Sequence, residues 1–259
     1  MNLFTMNAII FQKNNYQTRR EKDCHIEKIC SDFVDKYYLD KCIAKYSSLG
    51  YERVTDINSQ FKGEDLLLKK DGNVIARVDE KAKIYKCIGE VINWPSFEIT
   101  FLNRAGERSA GWFANPENTT THYAIISIAS SKDVEPGCEW ELEEADISRM
   151  VYAFVNAEKL KRWVHSETGR TIDAIVRDAD KMVADYEECP CSELLRKYYN
   201  KYIHLTYSPS MREKPVNLVI RRDMMRLYRL MMEVYIDRND YKHYEAPIGI
   251  LNPEKLYRQ

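Results

Sequence analysis

Glycine and proline are scarce in this sequence, 9 and 8 among 259 residues, and the formal net charge is only −1. The first shortage excludes collagen-like and low-complexity disordered chains. The second argues against a protein that coats nucleic acid by bulk charge, although a local basic surface is compatible with it. No stretch reaches the roughly 18 to 20 consecutive apolar residues of a membrane span, so no membrane partner is expected. The apolar cluster Ala8 to Phe11 is followed, not preceded, by its charges, and does not read as a signal peptide. Cysteines stand at 24, 30, 42, 87, 138, 189 and 191, an odd number with no C-x-x-C spacing and no matching histidine pair. That pattern argues against zinc and fits a reducing, cytoplasmic setting. Repeats and low-complexity tracts are also missing. What remains, with 44% hydrophobic and 31% charged residues, is a globular composition long enough for a large core.

The most informative stretch runs from Phe61 to Lys83. Two strand-like runs flank the turn signal Asp71-Gly72-Asn73. The first begins at Asp65 and carries Leu66, Leu67 and Leu68, a run apolar on both faces that suits a central strand. Along the second, period two puts Arg77, Asp79, Lys81 and Lys83 on one face and Val74, Ala76, Val78 and Ala82 on the other. A three-residue loop at 71–73 sets Asp65 opposite Asp79, whereas a two-residue loop separates them onto opposite faces. Directly paired residues lie about 4.5 to 5.5 Å apart, so two such carboxylates need a shared proton, a cation or water between them. The bland alternative is an amphipathic hairpin whose charges pair across strands.

Gly63-Glu64-Asp65, the turn, and Val78-Asp79-Glu80-Lys81 together resemble the PD-(D/E)xK nuclease superfamily over about twenty residues. The resemblance implies a restriction-endonuclease-like core and a metal-dependent DNA endonuclease-like hydrolase. Asp65 and Asp79, with the backbone carbonyl of Glu80, would hold Mg²⁺ or Mn²⁺, and Lys81 would assist phosphodiester hydrolysis. Two departures stand out: Glu64 replaces the leading proline, and Glu80 puts a charge on the packed face. They keep two rivals open, a catalytically degenerate nucleic-acid-binding module on the same fold and a structural or interaction protein.

Around the hairpin, apolar spacing from Ile26 to Ile43 predicts a helix over about 21–46, with Glu27 beside its stripe as a further acidic candidate and Gly50 as its stop. Tyr51 to Ile57 reads as a strand. Phe97, Ile99 and Phe101 form one face of another, with Glu98 on the opposite face as a secondary acid. Tyr123 to Ala129 reads as an apolar strand, preceded by His122. The fold class expected is α/β, a mixed central sheet flanked by helices over 1–132. A mainly helical extension over 133–259 is expected to pack on it, with one late strand near 215–220. Its helices are placed at about 147–164, 172–183, 192–204 and 222–236. Lys83, Arg221, Arg222 and Arg226 are the candidate phosphate contacts, and Arg196 to Tyr202 interleaves cations with tyrosines that could stack on unpaired bases. DNA is the expected partner. A homodimer is open, since Met224-Met225 and Met231-Met232 suit either core or a partner surface.

Overall fold

The computed structural model describes residues 19–84, 93–134 and 138–239. The segment Met1 to Phe11, Cys87, the Lys83 side chain and the chain beyond 239 lie outside the described residues. The predicted first helix is present as α1 (Arg19–Val34), a π-helical stretch (Asp35–Leu39) and α2 (Asp40–Lys45). The wider π turn lets three successive residues, Tyr37, Tyr38 and Leu39, all face inward. The helix ends at Tyr46, which turns extended, so Gly50 is not its stop but part of β1 (Leu49–Arg53); the strand expected over 51–57 ends at Arg53, and Ile57 opens α3 (Ile57–Phe61), whose N-cap Asp56 accepts from the Ser59 amide.

A six-stranded mixed sheet has the order β1-β2-β3-β6-β7-β11, with β2 (Leu66–Lys70), β3 (Asn73–Ile84), β6 (His122–Ser130), β7 (Ile147–Asn156) and β11 (Met231–Asp237). Only the β3–β6 pairing is parallel. The α1 side buries Phe33, Val34 and Tyr38 against Leu66, Val78, Ala124, Ile126 and Tyr152. On the other face Tyr123, Ile125, Ala153 and Val155 meet a second sheet, order β5-β4-β10-β9-β8, together with α4 (Ala157–Thr168) and α5 (Ile172–Glu188). That second sheet comprises β4 (Ser96–Leu102), β5 (Arg108–Ala110), β8 (Arg196–Tyr198), β9 (Ile203–Tyr207) and β10 (Val216–Ile220). The chain is thus α/β with a mixed sheet covered on both faces. No described helix is long and apolar enough to cross a membrane.

Several expectations need correction. Residues 147–156 are a strand, not a helix: both faces are covered, so nearly every position is apolar and the period of two is hidden. The 192–204 helix is a 3₁₀ turn followed by β8 and β9, joined where the Asn200 side chain accepts from the amides of Tyr202 and Ile203. The 222–236 helix stops after α6 (Arg222–Leu227), where Arg229 turns left-handed at φ 53° and the chain enters β11. Among the described residues the part after 133 is therefore not mainly helical; five strands lie in it. The boundary expected at 132/133 falls between β6 and β7, which pair from His122↔Asn156 to Ser130↔Ile147 in one sheet.

Candidate functional site

The hairpin reaches the expected upstream pairing by another route. Lys70 pairs with Asn73, so the turn has two residues, Asp71 and Gly72, with φ of 50° and 78°. A bulge at Ile75, between Leu68↔Ala76 and Lys69↔Val74, supplies the offset that the three-residue loop was expected to give. Pairing then continues to Leu66↔Val78. Asp65 stands just before β2 and belongs to neither ladder cleanly. Its amide donates to the Val78 carbonyl at 2.9 Å, its carbonyl accepts from Val54 at 3.0 Å, and its carboxylate accepts from the Glu80 amide at 2.7 Å.

The turn that delivers Asp65 depends on Gly63. Its φ is +73°, and a Cβ there would collide with Thr120 and Asn118. Thr120 Oγ1 donates to the Gly63 carbonyl at 2.7 Å, and Thr119 Oγ1 donates to Glu64 at 2.6 Å. Glu64 also pairs with Arg77 at 3.0 Å and so braces this turn to β3.

Asp79 is buried at 1% exposure. Its Oδ1 accepts from Lys81 Nζ at 2.5 Å, while its buried Oδ2 has no hydrogen-bond partner among the described residues. The Asp65 carboxyl lies within electrostatic reach of both Asp79 and Lys81. Burial pushes the Asp65 carboxyl up to about 6; the Lys81 charge opposes this and the Asp79 charge adds to it. Burial works against the Lys81 charge, but Asp79 and Asp65 outweigh it and hold its pKa above the ordinary lysine value. Glu98 is also raised by burial, with the charge of Lys81 and the Trp112 amide opposing, and Glu27 acts on Lys81 from the α1 side. Asp65, Asp79, Glu98 and Glu27 are thus all within electrostatic reach of one ammonium group, whose Nζ lies 5.5 Å from the Trp112 ring.

Glu80 does lie on the packed face, and the structure shows how that is accommodated. Its carboxylate accepts from Tyr152 Oη at 2.5 Å and Ser31 Oγ at 3.1 Å, and it pairs with Arg53. Arg53 in turn bonds Asp35 at 2.6 Å. A cavity of about 290 Å³ opens beside this network, and Glu27, Ser31, Arg53, Gln60, Asp65 and Glu80 are among its lining residues. Asp65 therefore borders both the Asp79–Lys81 pair and an accessible hollow.

Two carboxylates are few for a metal. Among the described residues no group of three or more His, Cys, Asp or Glu side chains is arranged to hold an ion. Mg²⁺ nevertheless keeps several waters and needs only one or two carboxylates, and the orphaned Asp79 Oδ2 is an acceptor that a cation would satisfy.

The expected phosphate contacts are not gathered here. Arg222 forms a two-pronged pair with Glu233 at 2.5 and 2.7 Å, Arg226 lies 3.7 Å from the same carboxylate, and Arg221 pairs with Asp223. Glu233 belongs to β11, three strands from β3, or roughly 14 Å across the sheet. Met224 and Met225 are buried, which makes them core. His122 is held by Thr121 at 3.0 Å and Asn156 at 3.2 Å, and burial lowers its pKa to about 4. It is a packed, neutral histidine.

No protein-family model, curated protein or solved structure matches the chain. Sequence reading missed Arg53, Tyr152 and the Asn118–Thr120 clamp. Arg53 was one cation in a segment read as strand and Tyr152 sat in a segment read as helix. Only the odd position of Glu80 signalled that a buried partner was required.

Proposed function

We propose that this chain is a metal-dependent phosphodiester hydrolase acting on DNA, with a PD-(D/E)xK-type site on a restriction-endonuclease-like core. The observation that carries this reading is the buried Asp79, with one oxygen on Lys81, the other without a partner, and Asp65 beside it. Asp65, Asp79 and the Glu80 backbone carbonyl would hold Mg²⁺ or Mn²⁺. Such an ion supplies an activated water and positive charge for the phosphoryl oxygens. Lys81 stays protonated, so its role is to donate to the phosphate as negative charge grows on it, not to act as a base. The hollow beside Asp65 gives water and a phosphodiester access to a carboxylate that strand pairing alone would enclose.

The test is cleavage of duplex, single-stranded and branched DNA with Mg²⁺ or Mn²⁺. Asp79→Ala is expected to abolish cleavage, and Lys81→Ala to lower it about a hundred-fold or more. Activity that survives Asp79→Ala overturns the assignment. One observation favours the degenerate binding module as the second reading: the Lys81 ammonium already neutralises Asp79 without a metal. On that reading neither ion raises the melting temperature of the wild type.

A further inference from the structure

The second sheet buries alternate residues and leaves the others open. In β9, Ile203, Leu205 and Tyr207 face the core; in β10, Val216, Leu218 and Ile220 do so. The intervening residues form an outer face whose rows follow from pairing. Tyr198 pairs with His204, which pairs with Val219. The adjacent row runs Arg196, Thr206, Asn217, Glu98. Since directly paired residues point to the same side, the aromatic edge and Glu98 share one surface.

Three rings gather at its edge. Trp94 and Tyr198 flank His204, with centroids 5.5 and 5.0 Å from the imidazole, and remain 40% and 60% exposed. Both rings leave area open to solvent on which a planar partner can stack. Burial and the nearby Arg196 charge lower the His204 pKa, keeping the ring neutral and suited to stacking. Arg196 is exposed and has no ion-pair partner among the described residues. Glu98, at the far end of its row, lies within reach of the charges of Lys81 and Asp79.

We propose that this outer face is a stacking platform for unpaired bases of a single-stranded nucleic acid. Tyr198 and Trp94 present ring faces to successive bases, Arg196 attracts the backbone, and the strand runs along the sheet towards Glu98. The half-exposed polar residues Thr206 and Asn217 suit base edges better than they suit an apolar peptide. The path towards Glu98 rests on the phosphodiester reading of the neighbouring site; the capture of bases at the aromatic edge does not.

The experiment is fluorescence anisotropy with a labelled oligo(dT) of about 15 nucleotides and a duplex of equal length, in EDTA so that metal and cleavage play no part. Wild type is expected to bind the single strand more tightly than the duplex. Tyr198→Ala and Trp94→Ala should each weaken single-strand binding about ten-fold, and Tyr198→Phe should retain it. Arg196→Ala should reduce the salt slope by about 0.7. Thermal melts check that each variant folds. Wild-type affinity in both alanine variants, or a preference for duplex, overturns the platform. Tyr198-dependent binding without cleavage removes the hydrolase reading alone; cleavage with binding indifferent to Tyr198 removes the platform alone.

Discussion

The two faces of β3 carry buried acids one residue apart and treat them oppositely. Glu80, on the α1 side, is met by Tyr152, Ser31 and Arg53, and Arg53 is tied on to Asp35. Asp79, on the other side, has Lys81 and one oxygen without a partner. Burial of charge is therefore not by itself the mark of a reactive site. What distinguishes Asp79 is incomplete compensation beside a second carboxylate, whereas Glu80, although it lines the hollow, is held by a closed network.

The largest effect expected from this contrast comes from Arg53→Ala, which strands Glu80 and Asp35 together. It should cost about 3–5 kcal/mol of stability, measured by urea denaturation. A loss as small as that of a surface variant would place the network among solvated pairs. Tyr152→Phe removes a single donor from a buried carboxylate and should cost about 1–3 kcal/mol in the same measurement.

The opposite sign is expected across the strand. Asp65 is pushed from 3.8 up to about 6, so between those values the folded chain holds a proton that the unfolded chain has released. Stability due to this group is lost as pH rises from about 4 to about 6, and the penalty is complete above that. Asp65→Asn, which cannot ionise, should therefore raise stability near neutrality by about 1–2 kcal/mol and flatten the pH dependence. Denaturation midpoints taken at both ends of that window test it; a destabilised variant at neutral pH would show that Asp65 belongs with Glu80. The smallest effect is expected at Arg221→Ala. The Arg221–Asp223 pair is exposed and screened, so its melting temperature should be indistinguishable from that of the wild type.

Local chemistry made parts of this molecule legible. The apolar stripe between Ile26 and Ile43 and the presence of a turn within 71–73, though not its length, are read from spacing and residue type because their causes lie within a few residues. Strands β7 and β11 were not legible, since cover on both faces of β7 and the left-handed Arg229 before β11 erase the short-range pattern. The site divides along the same line. Asp65, Asp79 and Lys81 were marked by their order in the chain, while their separation from Glu80 depends on Arg53, Tyr152 and Ser31 arriving from three other elements.

The sequence by itself determined an α/β chain with a hairpin bearing two acids and a lysine in alternating positions. Only the tertiary structure decided which acid is neutralised and which is left partly unsatisfied. The cost of a buried charge is set by whatever packs against it, and for β3 those groups lie up to 72 residues away.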